Sequence, residues 1–272
     1  MGLFWKLESD IDVSGERGEL KSRNRYVGLS HNLGKLIAGY HDSPHKSLGG
    51  KAGVFHDTIG ERRGILGAAN GSNKMNIRGK NSVLYISPKF SNVEWRVMRS
   101  AGDDTDSSLD EHPMLASSLV FDNKQFYVGL SYEDQSKPSV DAKGLRIVSG
   151  VNIQKSKINI VYEQMTSDTN DAFERNAYGI SVDHPLKKLH LKAQVFVAED
   201  YKNTSDSGAM LWAIGAEYKL DKTVSFYGLV AGVENDDNSH IPLAGSGHGE
   251  KYSVANDGDS LLGTSMGMVY KF

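Results

Sequence analysis

The 272-residue chain has no cysteine, which removes disulfide frameworks and thiolate metal sites from consideration. Nowhere does it approach the roughly 18 consecutive apolar residues of a membrane-crossing helix, and its mean hydropathy is −0.43. Neither sign of charge dominates: 31 lysines and arginines face 34 carboxylates, for a formal net charge of −3. A dedicated nucleic-acid surface would need a clear basic excess, so no nucleic-acid partner is expected. The HExxH motif, the nucleophile elbow and the P-loop are all absent. Neighbours such as His41-Asp42 and His56-Asp57 would point to opposite faces of a strand and could not form a dyad. No catalytic residues, metal site or cofactor are expected, and the chain reads as non-enzymatic.

What is present is alternation. Phe126, Val128, Leu130 and Tyr132 interleave with Tyr127, Gly129, Ser131 and Glu133. The same period of two recurs in Leu189, Leu191, Ala193, Val195 and Val197 against His190, Lys192 and Gln194, and again in Met266, Met268, Tyr270 and Phe272. Successive strand side chains point to opposite faces, so each segment has one apolar side and one polar side. The pattern predicts about fourteen strands. They lie near 3–12, 23–30, 35–42, 81–88, 92–100, 113–121, 124–133, 143–153, 157–165, 174–183, 188–198, 209–219, 223–234 and 259–272. Tight turns at Asn32–Gly34, Lys89–Ser91, Asp122–Asn123, Gln154–Ser156, His184–Lys187 and Leu220–Lys222 alternate with longer connections. An all-β fold follows, specifically a transmembrane antiparallel β-barrel. Its short turns would lie on the periplasmic side, and a polar lumen would account for the hydrophilic average. Nothing interrupts the rhythm, so 1–272 is read as a single domain.

One connection is set apart by length. Residues 43–80 contain Leu48, Val54, Phe55, Ile59, Ile65 and Leu66, which need a surface to cover, and the lumen is the nearest one. This loop carries Lys46, Lys51, Arg62, Arg63, Lys74, Arg78 and Lys80 against Asp57 and Glu61. By alternation, Glu94, Arg96, Arg146 and Lys192 face the lumen, whereas Val93, Trp95, Val97, Ile147 and Val151 face lipid. Glu163 and Glu217 read as solvated lumenal carboxylates. The aspartates Asp103, Asp104, Asp106 and Asp110 and the Gly-rich Ala244–Gly249 read as solvated turn material without chemistry.

Several stretches resemble the general diffusion porins of Gram-negative bacteria, of the neisserial and betaproteobacterial type. They are Asn24-Arg25-Tyr26-Val27-Gly28-Leu29, then Leu33-Gly34-Lys35-Leu36 with Gly39, then Asn81 to Pro88 with Phe90, and the closing Val269-Tyr270-Lys271-Phe272. Two departures stand out. Gly2 to Glu8 aligns with what is normally the third strand of a sixteen-stranded barrel, so a signal peptide and two further strands are expected upstream of Met1. Leu84, Ile86 and Tyr40 stand where the family often has polar lumenal residues.

The resemblance implies a multi-pass outer-membrane channel of a Gram-negative bacterium, passing small hydrophilic solutes and ions passively. It also implies a homotrimer among membrane lipid and lipopolysaccharide. The long loop would form the constriction, with Lys46, Lys51, Asp57, Glu61, Arg62, Arg63 and Arg78 as its charges and Glu94, Arg96, Arg146 and Lys192 on the wall. The cationic loop makes an anion preference the expectation. A narrow or plugged barrel with an adhesive or structural role is the alternative.

Overall fold

The computed structural model describes residues 1–10, 21–69, 72–73, 75–102, 113–137, 140–168, 174–243 and 252–271. The expected strand ends at 11–12 and at Phe272, Lys74, the run Asp103–Asp110 and the segment Ala244–Gly249 lie outside them.

Fourteen strands form one sheet: β1 (Gly2–Asp10), β2 (Lys21–His31), β3 (Gly34–Asp42), β4 (Arg78–Ile86), β5 (Val93–Ser100), β6 (Met114–Asp122), β7 (Phe126–Lys137), β8 (Val140–Ile153), β9 (Ser156–Thr166), β10 (Arg175–Leu186), β11 (Leu189–Ala198), β12 (Ala209–Lys219), β13 (Val224–Asn235) and β14 (Leu261–Tyr270). Each pairs antiparallel with its sequence neighbours. Among the described residues no rung joins β14 to β1. The two end strands are accordingly bare: Trp5 on β1 is 72 % exposed and Met266 on β14 is 88 % exposed.

Alternation sets the two faces. Val27, Trp95, Leu119, Ile147, Ile160 and Ile214 lie on the outer face and are exposed, while Ser131, Arg146, Asn159, Glu163 and Ser181 lie on the inner face and are buried. Several connections differ from expectation: β7 runs on to Lys137 and β8 starts at Val140 where a longer connection was expected, and the turn expected at Lys89–Ser91 takes up all the residues between Ile86 and Val93. The turn expected at His184–Lys187 is shorter, because β10 runs on through Pro185↔His190 to Leu186↔Leu189, leaving Lys187–Lys188 as the turn. Pairing between β9 and β10 ends at Asp183, so no strand on that side meets the missing proline N–H.

Glycine has a structural role where β3 meets the long loop. Gly39 has φ +140°, and a Cβ there would stand 2.4 Å from the carbonyl oxygen of Arg25. The β3–β4 register shifts between Gly39 and His41. Such a bulge bends the strand end and re-aims the side chains beyond it. The loop then enters the concave face.

Candidate functional site

The described residues of 43–77 pack across the inner face of the sheet; the loop expected to run to Lys80 ends earlier, because Arg78–Lys80 already belong to β4, which pairs with β3. Ser43 caps the short helix α1 (Pro44–Gly49), accepting a hydrogen bond from the backbone N–H of Lys46 at 3.0 Å, and Pro44 supplies a first-turn residue with a fixed φ. The helix lies against β6, β7 and β8. Beyond it, Leu48, Phe55, Ile59, Ile65 and Leu66 are buried in one cluster with wall residues that include Tyr127, Val148, Phe196, Leu211 and Leu229. A second cluster, of Ile37, Ile77, Leu84, Met98 and Met114, fills the place where the loop rejoins the wall. Leu84 is thus packed beneath the loop rather than open to the lumen.

Apart from a short internal hairpin at Ala68–Ala69 and Ser72–Asn73, the described residues between Ser43 and Ile77 have no strand partners, and wall side chains supply them instead. The Tyr127 hydroxyl donates to the carbonyl of Lys51 at 3.0 Å and the Ser181 hydroxyl to that of Ala52 at 2.6 Å. Gln194 accepts from the Val54 N–H at 3.0 Å and donates to the Gly60 carbonyl. Arg175 donates to the carbonyls of Ile65, at 2.9 Å, and Ala68, at 2.6 Å.

The most deeply buried polar grip is an ion pair. Arg146 and Glu163 lie directly opposite in the β8–β9 register and are bonded to one another, with side-chain exposures of 0 % and 1 %. Arg146 also donates to the His45 carbonyl at 2.9 Å and to Asn76 at 3.3 Å, while Glu163 accepts from the Gly67 N–H. The His45 ring lies 3.6 Å from Glu163 and 3.1 Å from the Ser131 hydroxyl. Burial, reinforced by the Arg146 charge, pushes its pKa down to about 4. It is therefore neutral at neutral pH.

The expected constriction charges separate by depth. Arg62 and Glu61 are buried and paired at 2.5 Å, so they do not line water. Burial is the largest influence on the Glu61 carboxyl and pushes it up, but Arg62 and Arg63 outweigh it and hold it below the usual range. Arg63 reaches Asp57 at 3.2 Å and Glu61 at 3.3 Å. Asp57 is open to solvent, within electrostatic reach of Arg23 on β2.

Lys46 and Arg78 converge on one carboxylate, that of Asp42, each at 3.0 Å. Asn24 donates to the same carboxylate at 3.1 Å. Burial lowers the Lys46 pKa, opposed by Asp42 and aided by Arg78.

On the short-turn side of α1, Lys51 meets Asp122 at 3.3 Å and lies 4.5 Å over the Tyr127 ring. It shares a cleft of about 120 Å³ with Glu94 and Arg96, which pair at 2.7 Å. Lys192 is neutralised by Glu217 at 2.5 Å.

Arg146 and Glu163 therefore depart from expectation: their side chains point inward, but they lie beneath the loop and out of the water. Arg62 and Glu61 depart likewise, because the loop turns them toward its packed side. The sequence reading assigned no role at this site to Asp42, Asn24, His45 and Asn76, nor to Asp122, Arg175 and Ser181. The Arg146–Glu163 pair carried a readable signal, since a turn centred on Gln154–Lys155 sets residue 146 opposite 163. Among the described residues, no cluster of three or more His, Asp and Glu side chains could hold a metal ion.

Comparisons with known proteins agree with this architecture. Residues 1–238 match the family model described as Gram-negative porin. The major outer membrane protein P.IB of Neisseria gonorrhoeae is 24 % identical over 249 residues, covering 81 % of this chain and 70 % of the relative. The structure of an anion-selective porin from Comamonas acidovorans superposes with a TM-score of 0.81 at 21 % identity, covering 99 % of this chain and 84 % of that one. A trimer form of OmpT from Vibrio cholerae gives a TM-score of 0.68 at 14 % identity, covering 99 % and 86 %. An all-β wall of consecutive antiparallel strands and a match over most of the length lead to one conclusion: this chain is a non-enzymatic channel of the outer membrane and belongs to the Gram-negative porin family.

Proposed function

We propose that the water-filled passage of this porin is narrowed by residues 43–80 within a single domain spanning 1–272, and that it conducts small hydrophilic solutes and ions with a modest preference for anions. The observation that carries the sign is the sharing of Asp42 by two cations, Lys46 and Arg78. Most other charges cancel locally: Arg62 and Arg63 against Glu61 and Asp57, Lys51 against Asp122, Arg96 against Glu94, and Lys192 against Glu217. The sequence counts seven loop cations against two carboxylates, but the geometry leaves about one uncompensated positive charge in these groups. Charge of one sign lining a narrow zone selects the opposite ion.

The reversal potential in a salt gradient tests this. The intact channel is expected to favour anions, and Lys46→Gln combined with Arg78→Gln to remove or invert that preference. A cation-selective intact channel refutes the assignment. Deletion of Gly49 to Ser72 is expected to raise conductance, and an unchanged conductance refutes the constriction. The proposal includes a homotrimer surrounded by lipid and lipopolysaccharide, for which mass in detergent is the check.

A further inference from the structure

The two ends of the molecule carry opposite charge. At the short-turn end, the connections outside the strands present Lys89, Lys124, Lys155, Lys187, Lys188 and Lys222, all exposed, against Asp221 alone. At the other end, the described residues of the loops 199–208, 236–243 and 252–260 hold Glu199 and six aspartates against Lys202 alone. The aspartates are Asp200, Asp206, Asp236, Asp237, Asp257 and Asp259. The near-neutral total thus conceals two mouths of opposite sign, and the charge of the constriction lies between them.

We propose that the channel rectifies ionic current through this axial polarity. The inference rests on the channel reading above. A basic mouth accumulates anions and an acidic mouth accumulates cations. When the long-loop compartment is positive, anions are drawn inward from the lysine-bearing mouth and cations inward from the carboxylate-bearing mouth. Both ions then enrich the narrow zone, and conductance rises. Opposite bias draws both away from it, and conductance falls. The Debye length is about 30 Å at 0.01 M salt and about 3 Å at 1 M, so the asymmetry is strong in dilute salt and vanishes in concentrated salt.

The test is a current–voltage curve from single channels in a planar bilayer. Because the chain has no cysteine, Ser205→Cys in an exposed loop, blocked by a bulky neutral maleimide added to one side, reports the orientation. At about 0.01 M KCl, current with the long-loop side positive is expected to exceed the reverse current by about twofold or more, converging to equality at 1 M. Replacing the six turn lysines by glutamine is expected to abolish the asymmetry. Asp236→Asn with Asp237→Asn, on the opposite rim, is expected to weaken it independently of how well the lysine variant folds. A symmetric curve in dilute salt, rectification of the opposite sign, or rectification unchanged in both sets of variants overturns the proposal while leaving the channel intact. Absence of any conductance would overturn the channel reading and this proposal together.

Discussion

Replacing Arg146 by methionine would leave the Glu163 carboxylate buried without its guanidinium and free the His45 carbonyl and Asn76 of a donor. Breaking one side of a buried pair is destabilising by about 3–5 kcal/mol. Against this stands the apolar docking of Leu48, Phe55, Ile59, Ile65 and Leu66, each at most 6 % exposed. At about 1.5–3 kcal/mol per side chain, that docking contributes on the order of 8–15 kcal/mol before the entropy of ordering the loop is subtracted. Packing wins. The loop is therefore expected to stay docked for most of the time, while undocked excursions become more populated by about two to three and a half powers of ten. Single-channel recording would show this as frequent brief steps to higher conductance, with the main level unchanged. The double variant Arg146→Met, Glu163→Leu leaves neither charge behind and should be quiet again. A single variant as quiet as the parent, or a double variant as noisy as the single, would refute the latch.

Three further outcomes are expected. His45 is neutral in its docked site and accepts a proton there only near pH 4, whereas an exposed histidine does so near 6.5. Docking is therefore at full strength above about 6.5 and weakens as pH falls toward 4, by up to about 3 kcal/mol. Channel noise should rise over that window and lose this dependence in His45→Gln. The lowered Lys46 pKa means that its charge is lost at a pH below the ordinary lysine value. Anion preference, measured as reversal potential, should thus begin to decline at a pH below the ordinary lysine range, and Lys46→Gln should remove that decline. Gly49→Ala would place a Cβ 2.2 Å from Nη1 of Arg146, which is already held by three partners. Displacement is expected to destabilise the docked loop by about 1–3 kcal/mol, read as the same noise and as a lower denaturation midpoint.

The wall was legible because its signal is local. A period of two in Phe126–Tyr132 or Leu189–Val197 reports which side of a strand meets lipid, and a two-residue turn fixes the register beyond it. The apolar content of 43–80 likewise announced that the loop would seek a surface. The charges within it were less legible, because one-dimensional order does not say which face of a loop is packed. Glu61, Arg62 and Arg63 are consecutive, yet the first two are buried and Arg63 turns toward Asp57. Asp42 was invisible as a hub because its partners Asn24, Lys46 and Arg78 come from three separate segments. The turn expected at His184–Lys187 proved shorter because Pro185 sits in β10 beyond the end of its pairing with β9, where a proline in a strand is harmless.

The side chains that hold the loop all lie far downstream of the backbone they grip: Tyr127 is 76 residues beyond Lys51, Arg146 is 101 beyond His45, and Gln194 is 140 beyond Val54. Contacts of such separation form late, since the intervening chain must be ordered first. The loop is synthesised early but cannot be seated until β7 to β11 have assembled. Its seating is thus a closing step of biogenesis, and errors in the middle of the barrel should surface as an ill-fitted passage in an otherwise assembled wall.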